Sequence, residues 1–291
     1  MKKLSGGILC IFSLLAIIVN LPKSLPASDD SLLLESWRQG VVVHPQGEPE
    51  MRMFLWFYEW NLFGAVNRGH HTAAYSMDSD WAAWEKIITN DKTYAVVSRD
   101  GVQLELASVE DGVELTLNME NRSGHDWPAL ASIIPCFNPG PSEHGTRFDY
   151  AFKRNRLFAD SDSTHTWFAG PEGLSLLSNR SIHFNHGLRK DVEGVRDSLG
   201  GFEFDGKWVT SGLNSQAGLL IRESGDRQWV TAIAWERHLS AQGHNPWLCM
   251  HLSANVGPLK RGEEKTLRGK IYLFRGSKEE CYERYLADFG Q

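Results

Sequence analysis

The sequence predicts an all-β protein, a large antiparallel β-sandwich with a short C-terminal helix. Two observations predict the sheets. Short β-branched or aromatic segments recur through residues 94–275, and turn residues separate them every eight to twelve positions. Asp100-Gly101 and Asp111-Gly112 are dipeptides typical of tight hairpin turns.

A third observation predicts the helix at the C-terminus. Ser277 with Glu280 three residues later forms a capping box, and Cys281 and Tyr285 share one face behind it. No repeat, low-complexity tract or linker divides the chain, so we predict a single domain over residues 28–291.

Two earlier segments are expected to be regular. Residues 51–63 are almost continuously aromatic and aliphatic, which favours one strand that is covered on both sides. Residues 78–88 carry Trp81, Trp84 and Ile88 at helical spacing behind a capping Asp78 or Ser79, which predicts a short helix.

The N-terminus resembles a bacterial secretory signal. Lys2 and Lys3 precede an apolar run over residues 8–19, and small Ala27 precedes an acidic pair. We therefore predict a signal peptide over residues 1–27 and a periplasmic or secreted mature protein, with no membrane attachment after cleavage. An uncleaved anchor is the alternative.

Composition excludes one class of partner and suggests another. The formal net charge is -6 and no basic cluster occurs, so nucleic acid is not an expected partner. The chain has 11 tryptophans. Indole rings stack on sugar rings, although most tryptophans in any fold belong to the core.

The cysteines give no metal or redox pattern. Cleavage would remove Cys10 and leave Cys136, Cys249 and Cys281, an odd number without CxxC spacing. One disulfide is possible in an oxidising compartment, but we expect buried thiols.

Residues 229–252 carry the first half of a candidate site. They are predicted to form two strands around a polar loop, with Cys249 and His251 on one face of the second strand and Met250 and Leu252 on the other. The polar side chains predicted to contact a ligand here are Glu236, Gln242, His244, Asn245 and Trp247.

Glu236 is the candidate general base. It follows small residues, Ala232 and Ala234, that would leave room for a ligand and partly desolvate the carboxylate, which raises its pKa. The alternative is an ion pair with Arg237 or another basic residue.

The opposite wall is predicted from other polar segments. Glu59 lies in the early aromatic segment, His70 and His71 lie in the loop after it, and His183 lies in a predicted strand next to a polar patch. We expect these side chains to donate and accept hydrogen bonds. Adjacent histidines on a strand point to opposite faces and no further ligand has defined spacing, so neither a metal nor another cofactor is predicted.

Three segments, in order, resemble the galactose mutarotase-like superfamily, which includes the aldose 1-epimerases. They are residues 113–138, which end in Ile134-Pro135-Cys136-Phe137-Asn138; Ala234-Trp235-Glu236; and residues 257–274, which contain Gly257-Pro258 and Gly262-Glu263. The resemblance implies a two-sheet sandwich with a sugar site on one concave face. It places Glu236 at the family's base and Asn138 at the end of its His-Pro-Tyr-Phe-Asn element.

The sequence departs from the family at the position of the general acid. Ile134 stands where the family has its histidine, and isoleucine transfers no proton. We therefore predict a carbohydrate-binding or carbohydrate-processing protein in which His244 or His70 would have to supply the acid for epimerisation, lyase or glycoside chemistry. The alternative is a glycan-binding module without chemistry, and a more remote one is a metal-dependent hydrolase that uses the histidines. The sequence does not indicate an oligomeric state.

Overall fold

A computed structural model describes residues 32–37, 40–48, 51–56, 60–62, 85–99, 101–122, 124, 126–139, 158, 163–199, 209–243 and 249–290. Within them lie nineteen strands and two α-helices. The strands are β1 (Leu32–Trp37), β2 (Gly40–Pro45), β3 (Met53–Trp56), β4 (Trp60–Leu62), β5 (Glu85–Ile88), β6 (Tyr94–Arg99), β7 (Val102–Val109), β8 (Gly112–Glu120), β9 (Ala131–Ile133), β10 (Cys136–Asn138), β11 (Thr166–Gly170), β12 (Gly173–Leu176), β13 (Ser181–Phe184), β14 (Val209–Thr210), β15 (Leu219–Glu223), β16 (Trp229–Trp235), β17 (His238–Gln242), β18 (Met250–Asn255) and β19 (Glu264–Arg275); the helices are α1 (Arg189–Leu199) and α2 (Lys278–Phe289).

The strands form two sheets. The ten-stranded sheet has the order β1-β2-β3-β10-β18-β17-β13-β14, and β9 pairs with both β18 and β4 at its side. The nine-stranded sheet has the order β12-β11-β15-β16-β19-β8-β7-β6-β5. Strand pairs are antiparallel except β13 with β14. The predicted all-β antiparallel sandwich is therefore confirmed.

The main core lies between the sheets. Alternate residues of the ten-stranded sheet, such as Phe137, Met250 and Leu252, belong to one buried apolar cluster with Leu115 and Ile271 of the nine-stranded sheet. Because strand side chains alternate, the residues between them face away from the other sheet. This alternation sets which polar groups reach the outer faces.

The C-terminal helix α2 covers part of the outer face of the nine-stranded sheet. The predicted capping box is present: Ser277 Oγ accepts from the backbone N–H of Glu280, and the Glu280 carboxylate accepts from the backbone N–H of Ser277. Cys281 and Tyr285 pack on Ala232 and other residues of the sheet. The small residues before Glu236 thus make room for a helix and not for a ligand.

The structure corrects three predicted elements. Residues 85–88 are strand β5 and not the end of a helix, because their backbone pairs with β6. The single strand expected over residues 51–63 is two strands, β3 and β4, that pair with different neighbours. The predicted polar loop after Glu236 contains strand β17, whose ladder with β18 decides its backbone.

Helix α1 follows β13, where the sequence predicts a polar patch. Val192 on this helix packs against Ile182 and Phe184, and Leu239 joins the same cluster. No helix within the described residues is long and apolar enough to span a membrane.

Candidate functional site

A row of polar and sulfur-containing side chains lies on the outer face of the ten-stranded sheet, across β10, β18 and β17. We call it the polar face; its members are Cys136, Asn138, Ser240, Gln242, Cys249, His251 and Ser253. All of them are buried although they point away from the other sheet. A buried polar group on this side of the sheet needs a partner, so the face is a candidate site.

Register places these residues together. Cys136 is opposite His251, while Phe137 is opposite Met250 and faces the core. Across the next ladder Gln242 is opposite His251 and Ser240 is opposite Ser253. Directly opposite residues share a face, so residues far apart in sequence meet on three neighbouring strands.

The hydrogen bonds of the polar face join hydroxyl, amide, thiol and imidazole groups. Ser240 Oγ and Ser253 Oγ are 3.0 Å apart, and His251 Nε2 is 3.3 Å from Cys136 Sγ. Asn138 Nδ2 donates to Cys249 Sγ at 3.5 Å. Within the described residues, Gln242 Oε1 accepts no hydrogen bond although the side chain is only 7% exposed.

Two predicted ligand contacts, Asn138 and Gln242, lie on the polar face. Sequence reasoning treated His251 as an ordinary sheet histidine and the cysteines as buried thiols. The signal was nevertheless present, since Cys249 and His251 alternate with Met250 and Leu252 in the predicted strand. What the sequence could not supply was the register with β10 and β17.

His183 lies elsewhere. It faces the interior between the sheets, where its ring lies 3.9 Å from that of Phe168, centroid to centroid. Its Nε2 is 2.9 Å from Ser181 Oγ and its Nδ1 is 3.0 Å from the carbonyl of Leu213. Burial lowers its pKa. Both ring nitrogens have protein partners, which favours a structural role over the predicted ligand contact.

Glu236 lies in the turn that follows β16, an interior strand of the nine-stranded sheet. Its Oε1 accepts from the backbone N–H of Arg268 at 2.8 Å, and its Oε2 accepts from Arg268 Nε at 3.1 Å. Arg237 instead donates to Asn255 Oδ1 and to the carbonyl of Gly257. This geometry favours the ion-pair alternative for Glu236.

The remaining predicted site residues lie outside the described residues. They are Glu59, His70, His71, His244, Asn245 and Trp247. The composite cleft that would join them to Glu236 stays a prediction.

His238 is another buried histidine, and the sequence gives it no role of its own. His238 at the start of β17 has its Nε2 2.7 Å from Ser215 Oγ, and Asn185 Nδ2 donates to its backbone carbonyl at 3.1 Å. Burial lowers its pKa to about 4. The imidazole is therefore neutral at neutral pH and fixes β17 to the segment before β15.

The nine-stranded sheet has an open groove on its outer face. Its volume is about 680 Å³, and the polar side chains that line it include Gln103, Asn118, Glu120, Arg122 and Thr266. These side chains bond to one another or to neighbours: Gln103 donates to Glu105, and Thr266 donates to Asn118. The groove is solvated and its polar groups already have partners.

Two of the three segments that carry the family resemblance contact each other. Asn121, which follows β8, donates from Nδ2 to the carbonyl of Leu259, and its backbone N–H donates to the carbonyl of Glu263. Trp127 forms a β-bridge with Leu259. The first and third segments are thus one packed unit, while Ile134 is buried between β9 and β10.

Comparison with solved structures finds a distant likeness to aldose 1-epimerase and mutarotase proteins. They include a candidate aldose 1-epimerase from Escherichia coli K12 with a TM-score of 0.40 and 10% identity, which covers 84% of this chain and 99% of that one. A galactose mutarotase related enzyme from Lactobacillus acidophilus has a TM-score of 0.36 and 10% identity, with 85% and 98% covered. No family model and no curated protein matches the sequence.

Proposed function

We propose that this chain is an exported carbohydrate-binding protein whose ligand contacts the polar face, with Gln242 as a central hydrogen-bond acceptor. One observation carries the proposal. The buried Oε1 of Gln242 accepts no hydrogen bond within the described residues, and a buried amide oxygen without a donor is costly. A sugar hydroxyl would supply that donor.

The chemistry of the surrounding groups supports a neutral, hydroxyl-rich ligand. The polar face offers amides, hydroxyls, thiols and an imidazole, and no carboxylate, lysine or arginine side chain belongs to it as defined above. Sites that recognise neutral polar ligands combine a few such groups with apolar surroundings. Phe54 and Trp37, which cluster with Cys136 and Cys249, are aromatic neighbours on the same side of the sheet.

Burial of the polar face has a kinetic consequence. Gln242 and His251 are 7% and 6% exposed, so a ligand reaches them only after a local opening of the structure. Association that waits for a conformational change is slower than ordinary docking, which proceeds at about 10⁵–10⁷ M⁻¹s⁻¹. We expect association below that range.

The proposal is tested by binding. A glycan array with residues 28–291 identifies a ligand, and calorimetry then compares the wild type with Gln242→Met. Because this substitution removes a hydrogen bond inside a buried site, we expect affinity to fall about tenfold or more. Gln103→Met in the open groove is the matched control and should leave affinity unchanged.

Two outcomes of these binding experiments would contradict the proposal. Loss of affinity in Gln103→Met with normal binding by Gln242→Met would move the site to the nine-stranded sheet. Absence of any bound glycan would remove the proposed ligand class.

Binding without chemistry is favoured over catalysis by the contacts of Glu236. The carboxylate of Glu236 accepts two hydrogen bonds from Arg268, one from its backbone N–H and one from its guanidinium, and is turned toward the arginine and not toward a ligand. We therefore expect Glu236→Gln to leave glycan affinity unchanged. If the chain turns over the glycan and this variant abolishes turnover, then Glu236 is the base, with His244 or His70 as the proposed acid.

Export belongs to the same proposal. It rests on the N-terminal signal pattern of residues 1–27, which lie outside the described residues. Expression of the full sequence in a bacterium and mass measurement of the periplasmic product should give a chain that begins at Ser28. An intact N-terminus in the membrane fraction would support the uncleaved anchor.

A further inference from the structure

Two thiols and one imidazole meet on the polar face. One ligand atom from each of Cys136, Cys249 and His251 lies within 4.8 Å of the other two, and all three residues are buried. Cys136 belongs to β10, Cys249 immediately precedes β18 and His251 belongs to β18, more than a hundred residues later in the chain. Folding, and not a local sequence motif, assembles this group.

We infer that Cys136, Cys249 and His251 bind one zinc ion. Sulfur and nitrogen are the donor atoms that zinc prefers, with bond lengths of about 2.3 Å to sulfur and about 2.0–2.1 Å to nitrogen. In a tetrahedral site these lengths place neighbouring donor atoms about 3.5–3.8 Å apart. His251 Nε2 is already 3.3 Å from Cys136 Sγ, so small side-chain movements would complete the three bonds.

The surroundings suit a metal-bound thiolate. Asn138 Nδ2 donates to Cys249 Sγ at 3.5 Å, and a donor to the sulfur is the usual outer partner of a thiolate ligand. Two thiolates in a buried position require a compensating cation, because an isolated buried charge is strongly unfavourable. Zinc would supply that charge and tie β10 to β18.

A disulfide between the same cysteines is disfavoured by register. Cys136 is directly opposite His251. Cys249 precedes His251 by two residues and is therefore diagonal to Cys136. Diagonal positions of an antiparallel pair are about 7–8 Å apart, beyond the usual Cα separation of bridged cysteines. Two thiols at this spacing can bind one metal ion more readily than they can form a disulfide bond.

A fourth coordination position would remain beside Gln242. This residue is directly opposite His251 on the next strand and shares its face. A water molecule on the ion could donate to the amide oxygen of Gln242. Zinc binding does not depend on the proposed carbohydrate, however, and its test requires no glycan.

The experiment uses residues 28–291 purified under reducing conditions and stripped with a chelator. Titration with zinc should give one tightly bound ion per chain by elemental analysis. Titration with cobalt(II) should give the intense near-ultraviolet absorption of cobalt bound to thiolate. Cys136→Ser, Cys249→Ser and His251→Asn should each weaken zinc binding about 100-fold or more, since even loss of an outer partner costs about 10–100-fold.

Cys281→Ser is the matched control. Cys281 is also a buried thiol, but it lies under α2 and away from the group. Its substitution should leave zinc and cobalt binding unchanged. The wild-type titration needs no variant, so the inference stays testable if a substituted chain fails to fold.

Three results would overturn the inference. They are uptake of neither ion by the reduced wild type, uptake of cobalt without thiolate absorption, and zinc binding as tight in all three ligand variants as in the wild type. A protein that binds glycan but takes up no zinc would refute only this inference, whereas a protein that takes up zinc but binds no glycan would refute only the proposed function.

Discussion

The two sheets bury polarity in different ways. On the nine-stranded sheet the buried polar groups under α2 are charged and paired: Lys270 Nζ is 2.8 Å from Asp111 Oδ1 and 2.8 Å from Asp288 Oδ2. On the polar face of the ten-stranded sheet the groups are amides, hydroxyls, thiols and an imidazole. The charged groups under α2 are paired within the protein, whereas the polar face carries hydroxyls, amides, thiols and an imidazole and includes the buried Gln242 Oε1, which accepts no hydrogen bond within the described residues.

The difference separates a structural role from a binding role. Ion pairs beneath α2 hold a helix against a sheet, and Tyr272 adds a hydrogen bond to Asp288. Hydroxyl and amide groups in a buried row form directional hydrogen bonds with a ligand, and they do not favour a charged ligand over a neutral one. The polar face is therefore the better candidate for a neutral ligand, and the network under α2 is the better candidate for stability.

The largest expected change in the free energy of unfolding concerns the ion pairs under α2. Lys270→Met leaves Asp111 and Asp288 without their shared cation, and the lysine side chain is only 9% exposed. Breaking a buried ion pair costs about 3–5 kcal/mol, and we expect a loss near the lower end because Asp288 is more exposed. Denaturant unfolding measures it. Arg284→Met, which removes a more exposed partner of Asp111, is the control and should cost about 1 kcal/mol or less. Equal losses would contradict a special role for Lys270.

The next effect concerns pH and His238. The pKa of His238 is about 4 in the folded protein, below its ordinary value of 6.5. Between these values the unfolded chain binds a proton that the folded chain does not, so stability falls as pH falls from about 6.5 to about 4. A shift of this size corresponds to about 3 kcal/mol. Unfolding free energies at pH 7 and pH 4.5 should show this loss.

His238→Gln is the variant for that measurement. It removes the titrating group while it keeps a polar side chain near Ser215. The variant should lose less stability on acidification than the wild type. An identical pH dependence would mean that other groups, such as His183, account for the slope.

The sequence predicted the sandwich because alternation and turn chemistry are local signals. Strand β7 and helix α2 occur where periodicity and capping residues predicted them. Strand β17 was missed because His238–Gln242 is polar, and its backbone conformation depends on pairing with β18 and β13. Residues 85–88 became a strand for the same reason, since tertiary pairing outweighs helical spacing in a short segment.

The candidate site was predictable only in part. Gln242 is predicted from the polar loop after Glu236 and Asn138 from the family resemblance, and both lie on the polar face. The group formed by Cys136, Cys249 and His251 was not predicted, because no local spacing links cysteines on β10 and before β18. Glu236 was chosen for its small neighbours, yet those neighbours accommodate α2.

A smaller effect tests whether the polar face is internally satisfied. Ser240 Oγ and Ser253 Oγ are buried and 3.0 Å apart. Ser253→Ala leaves the hydroxyl of Ser240 without this partner, which should cost about 1–3 kcal/mol. Ser240→Ala combined with Ser253→Ala should cost less than the single change, because no buried hydroxyl then remains unpaired. Additive losses in unfolding experiments would contradict this coupling.

The smallest effects come from one substitution made on both sheets. Gln103→Met in the open groove removes a hydrogen bond to Glu105 that water can replace, so stability should change by about 0.5 kcal/mol or less. Gln242→Met removes a buried acceptor that has no donor among the described residues, and stability should rise by up to about 1 kcal/mol. Opposite signs at the two sites, measured by denaturant unfolding without ligand, would show that Gln242 is kept at a cost to stability. A clear loss of stability in Gln242→Met would instead mean that this side chain supports the fold, and the strongest reason to place a ligand on the polar face would disappear.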